Sequence, residues 1–202
     1  DGGVVLCGAN TYGQLGLGSS AAASCTTPST VGATSRAAVC PWDSIVAATL
    51  GDQHSLFLSR DGGVFVAGRG GSGQLGLGDT LDAGRSLATT PCRLGKVMLG
   101  GRAVSLFAGE DFSGAVMEDG SVRAWGSSLS GRLSRRSLGS VGNSFETLPF
   151  LAGPSSVGAP VVAVEAGAGF LLLLTQDGEL RGSGASADGQ LGLGNRASRT
   201  HA

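Results

Sequence analysis

The chain has 202 residues, 37 of them glycine. With 41% hydrophobic and 14% charged residues it is too apolar for a disordered protein, and its glycines follow no collagen period. Its formal net charge of -1 gives no global field that would attract nucleic acid or a membrane surface. No apolar run reaches the roughly 18 residues that a transmembrane helix needs, and the longest, at 170–174, has the length of a strand.

An 18-residue pattern recurs along the chain. It reads DGGVVLCGANTYGQLGLG at 1–18, DGGVFVAGRGGSGQLGLG at 61–78 and DGELRGSGASADGQLGLG at 177–194, and a shortened copy, DGSVRAWGSSLSGRL, lies at 119–133. The Asp-Gly pairs begin at residues 1, 61, 119 and 177, so the offsets are 60, 58 and 58 residues. A fixed period of this size is typical of a repeat protein.

We therefore predict a single domain over 1–202, incomplete at both ends, as in a piece of a longer protein. Its predicted repeat units are 1–60, 61–118, 119–176 and a partial unit at 177–202.

Apolar segments flank each internal Asp-Gly pair. We predict β-hairpins whose two-residue turns are Asp61-Gly62, Asp119-Gly120 and Asp177-Gly178. Asp-Gly is typical of a type I′ turn, in which both positions have positive φ. A further short strand precedes each hairpin, at 45–48, 104–108 and 161–164, which gives about four strands per period.

The Gln-Leu-Gly-Leu-Gly segments predict tight corners, because two glycines in five residues disfavour a helix by about 2 kcal/mol relative to alanine. Four-stranded units at a fixed spacing indicate an all-β protein with a radial arrangement of sheets. The inserts between corner and next strand, at 19–42, 79–101 and 134–160, differ in composition. We predict surface loops there, where partner-specific contacts would occur.

The repeat resembles that of the regulator of chromosome condensation family. The resemblance rests on the Gly-x-x-x-x-Gly-Gln-Leu-Gly-Leu-Gly corner, the Asp-Gly turn and the strand at 51–58, GDQHSLFL, and it covers nearly the whole chain. It implies a β-propeller of which about half of a seven-bladed ring is present. The third unit departs from the pattern, with Arg132 in place of the corner Gln. Phe112 and Phe170 occur in the later units where the pattern has His.

We predict no catalytic, cofactor-binding or metal site. The G-x-G-x-x-G match at 68–73 is not followed by a helix that could hold a pyrophosphate. No Ser/Asp arrangement recurs around His54 that would indicate acid–base or nucleophilic catalysis. The resemblance, in which this His belongs to a repeat strand, implies a structural hydrogen bond for it. The four cysteines contain no C-x-x-C pair; we expect reduced thiols, with a Cys25–Cys40 bond as the alternative.

One local cluster of basic residues could contact a partner: Arg132, Arg135 and Arg136, with Arg123 near them in sequence. A guanidinium group suits an acidic partner or a phosphate. The alternative is a solvated loop.

We expect a non-enzymatic scaffold for protein–protein interaction, one subunit of a larger eukaryotic assembly, and an intracellular location. The resemblance also implies two alternatives, a guanine-nucleotide exchange factor for a small GTPase and a chromatin-associated module. The expected partner is accordingly a large complex or a small GTPase. We expect no cofactor, small-molecule substrate or membrane insertion, and the net charge of -1 disfavours nucleic acid as a partner of this segment.

Overall fold

The protein is described here from a computed structural model that covers residues 5–21, 29–30, 44–135 and 139–199. The strands of the described residues are β1 (Val5–Leu6), β2 (Ser29–Thr30), β3 (Ile45–Leu50), β4 (His54–Ser59), β5 (Val64–Gly68), β6 (Ala103–Ala108), β7 (Phe112–Met117), β8 (Val122–Gly126), β9 (Val161–Ala166), β10 (Phe170–Thr175) and β11 (Leu180–Gly184). The α-helices are α1 (Pro91–Leu94) and α2 (Pro149–Ala152).

The long strands form three antiparallel sheets in the orders β3-β4-β5, β6-β7-β8 and β9-β10-β11, while β1 pairs with β2. Where we predicted a fourth strand, the described residues show one isolated bridge per sheet: Gly68–Ala83, Gly126–Val141 and Gly184–Arg199. After the first two bridges, Gly84 and Gly142 adopt positive φ. The chain turns away there, which ends the pairing after one residue.

The middle strand of the first sheet is buried on both faces. Leu56 and Leu58 belong to the main hydrophobic cluster, which also includes residues of the second and third sheets. Phe57 points to the opposite face and joins a second cluster that Leu6 and Cys92 contact. Because side chains alternate along a strand, β4 is enclosed between two neighbouring units. This explains why apolar residues occupy three consecutive positions, Leu56, Phe57 and Leu58, and why the polar residues of β4 are also buried.

Each loop between the first and second strands of a sheet contains a glycine against which an aromatic ring packs. A Cβ on Gly51 would lie 2.1 Å from Cε1 of His54. The equivalent distance is 2.0 Å from Gly109 to Phe112 and 2.1 Å from Gly167 to the ring of Phe170. The Gly-x-x-aromatic spacing therefore reflects a close approach that leaves no room for a side chain at the glycine.

The hairpin turns differ from the two-residue type that we predicted. Gly62 N–H donates to the Ser59 carbonyl (2.8 Å) and Ser59 N–H donates to the Gly63 carbonyl (2.9 Å). Gly62 has a φ of 79°, whereas Asp61 is not in the left-handed region. This pattern is a three-residue loop that ends in a glycine bulge. The Asp61 carboxylate accepts hydrogen bonds from Ser59 Oγ and Gly63 N–H, and these hold the aspartate in place.

The second and third inserts are not unrelated loops. At a constant offset of 58 residues, each contains a 3₁₀-helix (Leu87–Thr89 or Phe145–Thr147) and then a short α-helix, α1 or α2. Ser86 and Thr89 form a capping box, as do Ser144 and Thr147. The inserts thus contain repeated elements of the fold, which our prediction of surface loops did not include.

The expectation of reduced thiols was also wrong. Cys7 and Cys92 are both disulfide-bonded, and the described residues include no free cysteine. Cys7 directly follows β1, and Leu6 and Cys92 pack against one hydrophobic cluster. Both cysteines therefore lie where two units meet, an arrangement that sequence spacing does not show. Cys25 and Cys40, the alternative pair, lie outside the described residues.

Candidate protein-interaction face

The carbonyl group of Gln74 connects neighbouring sheets. It accepts a hydrogen bond from Trp125 Nε1 (2.9 Å) and another from Ser113 Oγ (2.7 Å). Ser113 Oγ is also 2.8 Å from His54 Nε2. Since the serine proton is used for the Gln74 carbonyl, His54 must carry its proton on Nε2 and donate to Ser113. His54, Ser113 and Trp125 are all almost fully buried.

His54 is neutral at physiological pH. Burial lowers the pKa of its imidazole from 6.5 to about 4, although a backbone hydrogen bond with Phe112 acts in the opposite direction. An uncharged imidazole that donates to Ser113 joins β4 to β7 of the next sheet. This geometry supports the structural role that we assigned to His54.

The side chain of Gln74, in the second Gln-Leu-Gly-Leu-Gly corner of the chain, anchors that corner to the loop before β7. Its Oε1 accepts the Ser72 N–H (2.8 Å), and its Nε2 donates to Asp111 Oδ1 (3.1 Å). Asp111 also forms an ion pair with Arg69 at 3.4 Å. Asp111 therefore has two partners within the protein.

At the second corner the side chain of Gln74 accepts a hydrogen bond from a backbone N–H, whereas at the third corner the side chain donates one to a backbone carbonyl. Arg132 occupies the position of Gln74, and arginine has no acceptor for a backbone N–H. Instead, Arg132 Nε donates to the Leu129 carbonyl at 3.0 Å. The peptide unit of Leu129 and Ser130 thus presents its carbonyl to the side chain, and Ser130 adopts a φ of 58°. The guanidinium lies 5.8 Å from the centre of the Phe112 ring.

Of the other basic residues of the predicted cluster, two lie at α2. Arg135 donates to the carbonyls of Ala152 and Gly153, and Arg123 Nη1 lies 3.4 Å from the carbonyls of Pro149 and Phe150. Arg136 lies outside the described residues. Arg135 lies at the carboxyl end of α2, where a cation satisfies carbonyls that the helix leaves unpaired. Arg123 and Arg135 therefore have partners at α2, whereas Arg132 lies at the third corner and contacts Leu129 instead.

The Asp-Gly turns lie at the ends of the second strands. The pKa of the Asp61 carboxyl lies well below its ordinary value, mainly because Lys96 donates a hydrogen bond to it. The pKa values of Asp119 and Asp177 are also lowered, mainly by hydrogen bonds from Ser121 and Thr175. Gly120 and Gly178 have φ values of 77° and 86°, like Gly62.

At the opposite ends of these strands, three loops line one groove. They are Leu50–Asp52, Ala108–Glu110 and Ala166–Ala168, which we call the inner-loop face. Glu110 N–H donates to the Ala168 carbonyl at 3.0 Å, which joins two of the loops directly. Asp52, Glu110 and Ala168 are exposed at the third position of each loop. The loops share a backbone but present different side chains, and sequence reasoning did not single them out.

Two kinds of feature are absent from the described part of the chain. It has no group of three or more His, Cys, Asp or Glu residues placed to hold a metal ion. None of its helices is long and apolar enough to cross a membrane.

Comparison with known sequences shows the family. The regulator of chromosome condensation (RCC1) repeat matches residues 1–58 and 61–116, and a second form of this repeat matches 45–74. The chain belongs to the regulator of chromosome condensation repeat family, as its sequence pattern indicated.

Curated relatives agree with this assignment. The chain is 34% identical over 192 residues to the mouse regulator of chromosome condensation, covering 94% of this chain and 40% of the relative. It is 36% identical over 126 residues to the bovine secretion-regulating guanine nucleotide exchange factor, covering 62% of this chain and 24% of the relative. The chain thus spans well under half the length of these relatives.

Solved structures show the same fold. Human WBSCR16 superimposes with a TM-score of 0.71 at 21% identity, covering 99% of this chain and 47% of the other. Yeast RCC1 (Prp20), solved in complex with Kap60, gives 0.70 at 22% identity, covering 99% and 44%. Together with the three antiparallel sheets, these similarities confirm the prediction of a β-propeller of which this chain represents part.

Proposed function

We propose that the chain is part of a propeller that binds a protein partner through its inner-loop face and catalyses no covalent reaction itself. In this proposal residues 1–202 form one domain, with units 1–60, 61–118, 119–176 and 177–202. The observation that carries the proposal is the contrast between a buried frame that repeats and inner loops whose exposed side chains differ from one sheet to the next. Binding residues commonly lie on loops that a rigid scaffold positions.

The chemistry of the inner-loop face suits a protein surface. Leu50 is 63% exposed and precedes the exposed Asp52 by two residues in the same loop, while Glu110 provides a second carboxylate from the neighbouring loop of the groove. An exposed apolar side chain beside two carboxylates fits a partner with an apolar contact and a basic rim. The same carboxylates would repel the phosphates of a nucleic acid.

Charge reversal on this face tests the proposal. The full-length protein carrying Asp52→Arg and Glu110→Arg should lose its co-purifying partner in native affinity purification quantified by mass spectrometry. The matched control is Glu118→Arg with Glu146→Arg, which changes the charge equally at exposed residues outside the groove. Equal recovery of the partner with both double variants would refute binding at the inner-loop face.

Exchange of guanine nucleotide on a small GTPase is the second candidate function. It is favoured by the similarity to a relative named as a guanine nucleotide exchange factor and by the regulator of chromosome condensation relatives. Such a factor lowers nucleotide affinity by binding the GTPase, which requires no catalytic side chain of the kind that attacks a substrate. Release of labelled GDP from a panel of small GTPases, with and without the full-length protein, tests this function. Unchanged release across the panel would favour the scaffold.

A further inference from the structure

The third corner lacks a carboxylate that the second corner has. Asp111, which receives the hydrogen bond from Gln74, directly precedes β7, and Gly169 holds the equivalent position before β10. The backbone is the same at both places, because the Asp111 carbonyl accepts the Ser127 N–H and the Gly169 carbonyl accepts the Ala185 N–H, each at 2.9 Å. The difference is therefore the loss of the side chain.

The position without a carboxylate faces a guanidinium group. A Cβ built on Gly169 would lie 3.5 Å from Nη2 of Arg132, an ordinary van der Waals distance. Arg132 is only 8% exposed, yet it forms no ion pair with the described residues. The hydrogen bond that its guanidinium makes with the described residues runs from Nε to the Leu129 carbonyl and holds the guanidinium in place. Nη1 and Nη2 are left for an acceptor from outside.

Resting on the proposed function, we propose that Arg132 and Gly169 form a binding site for one carboxylate side chain of the protein partner. Arginine binds a carboxylate through two parallel hydrogen bonds, and Phe112 and Leu129 already orient this guanidinium. The site adjoins the inner-loop face through Ala168.

The surroundings define the ligand further. Leu129 is 68% exposed and Ala168 is also exposed, so an apolar side chain next to the acidic one would find contacts. The exposed carboxylate of Glu110 disfavours a polyanion, while Asp111 is already paired with Arg69. The site therefore fits a protein segment with one acidic residue beside an apolar residue, rather than a nucleic-acid backbone.

Restoring the internal carboxylate tests the site directly. Gly169 is outside the left-handed region, so Gly169→Asp introduces no backbone strain there. The new carboxylate should pair with Arg132, raise Tm by about 2 °C or more, and block an external carboxylate. The matched control is Gly101→Asp, at another glycine outside the left-handed region whose added Cβ would likewise meet its nearest atom at 3.5 Å.

The binding measurement is fluorescence anisotropy of the full-length protein with labelled, capped peptides centred on Leu-Asp, Leu-Asn or Leu-phosphoserine. We expect the native protein to bind the Asp peptide about tenfold or more tightly than the Asn peptide, since about 1.4 kcal/mol corresponds to tenfold. Arg132→Gln and Gly169→Asp should abolish this preference, and Gly101→Asp should retain it.

Equal binding of the Asp and Asn peptides by the native protein would overturn the proposal, as would a preference that survives Gly169→Asp. Binding of the phosphoserine peptide but not of the Asp peptide would show that the site takes a phosphate rather than a carboxylate, which would also overturn the proposal. If the native protein shows no peptide preference but still loses its partner when it carries Asp52→Arg and Glu110→Arg, this site alone is refuted. The two proposals therefore fail separately.

Discussion

His54 makes folding stability depend on pH. Its pKa is about 4 in the folded protein and 6.5 as an ordinary histidine, so the unfolded chain binds its proton first as pH falls. Stability from the neutral imidazole is complete above pH 6.5 and decreases as pH falls from 6.5 towards 4. The expected loss between pH 7 and pH 5 is about 2 kcal/mol.

Urea unfolding at the two pH values measures this loss. His54→Gln is the matched control, because a glutamine Nε2 can donate to Ser113 but does not titrate. The variant should lose much less stability between pH 7 and pH 5 than the native protein. An equal loss in both would show that other groups cause the pH dependence.

Gly76 illustrates a residue that the packing of Trp125 requires. It has a φ of 67°, and a Cβ on it would lie 2.8 Å from Trp125 Nε1. Gly76→Ala should therefore add overpacking to backbone strain and cost about 2–4 kcal/mol. Gly95→Ala is the control, because Gly95 also has positive φ but no atom lies within 4 Å of its added Cβ. It should cost about 1–2 kcal/mol, and chemical denaturation of both variants measures the difference.

Similar losses in the two variants would show that Trp125 does not restrict this corner.

At the scale of elements, Arg135 is expected to stabilise the insert that carries α2. Arg135→Ala removes the donors to the Ala152 and Gly153 carbonyls and should cost about 1.5–3 kcal/mol. Arg93→Ala in α1 is the control: Arg93 is exposed, and its loss should change stability by at most about 0.5 kcal/mol. Thermal unfolding compares the two variants. A Tm unchanged by Arg135→Ala would mean that these carbonyls bind water equally well.

The sequence predicted the elements better than their details. The Asp-Gly pairs located the hairpins, but the turn type depends on the bond between Asp61 and Ser59, which the dipeptide does not reveal. The inserts carried a readable signal, G-x-S-x-x-T at 84–89 and again at 142–147. It was missed because the residues between these positions differ, and composition outweighed the constant offset.

The candidate site was less accessible to sequence reasoning. Arg132 was recognised as a departure from the repeat, but its meaning depends on the contact between Gln74 and Asp111, which lie 37 residues apart. Only that contact shows that two replacements belong together: Arg132 stands where the second unit has Gln74, and Gly169 stands where it has Asp111. Proximity in sequence grouped Arg132 with Arg135, whereas the fold directs Arg135 to α2.

At the scale of the whole molecule, in this proposal the repeated core, which holds the sheets together, is separate from the inner-loop face, which binds the partner. Residues such as Leu56, Phe57 and Trp125 hold neighbouring units together in the core. The inner-loop face lies at one end of the sheets and the Asp-Gly turns at the other. A protein partner of the propeller should therefore contact one end and leave the other in solvent.

Hydrogen–deuterium exchange of the full-length protein, alone and with its co-purified partner, tests this claim most directly. We predict slower exchange on binding in peptides that contain residues 50–52, 108–110 and 166–168, with unchanged exchange at the turns that contain Asp61, Asp119 and Asp177. Protection confined to those turns, with unchanged exchange in the inner loops, would contradict the account.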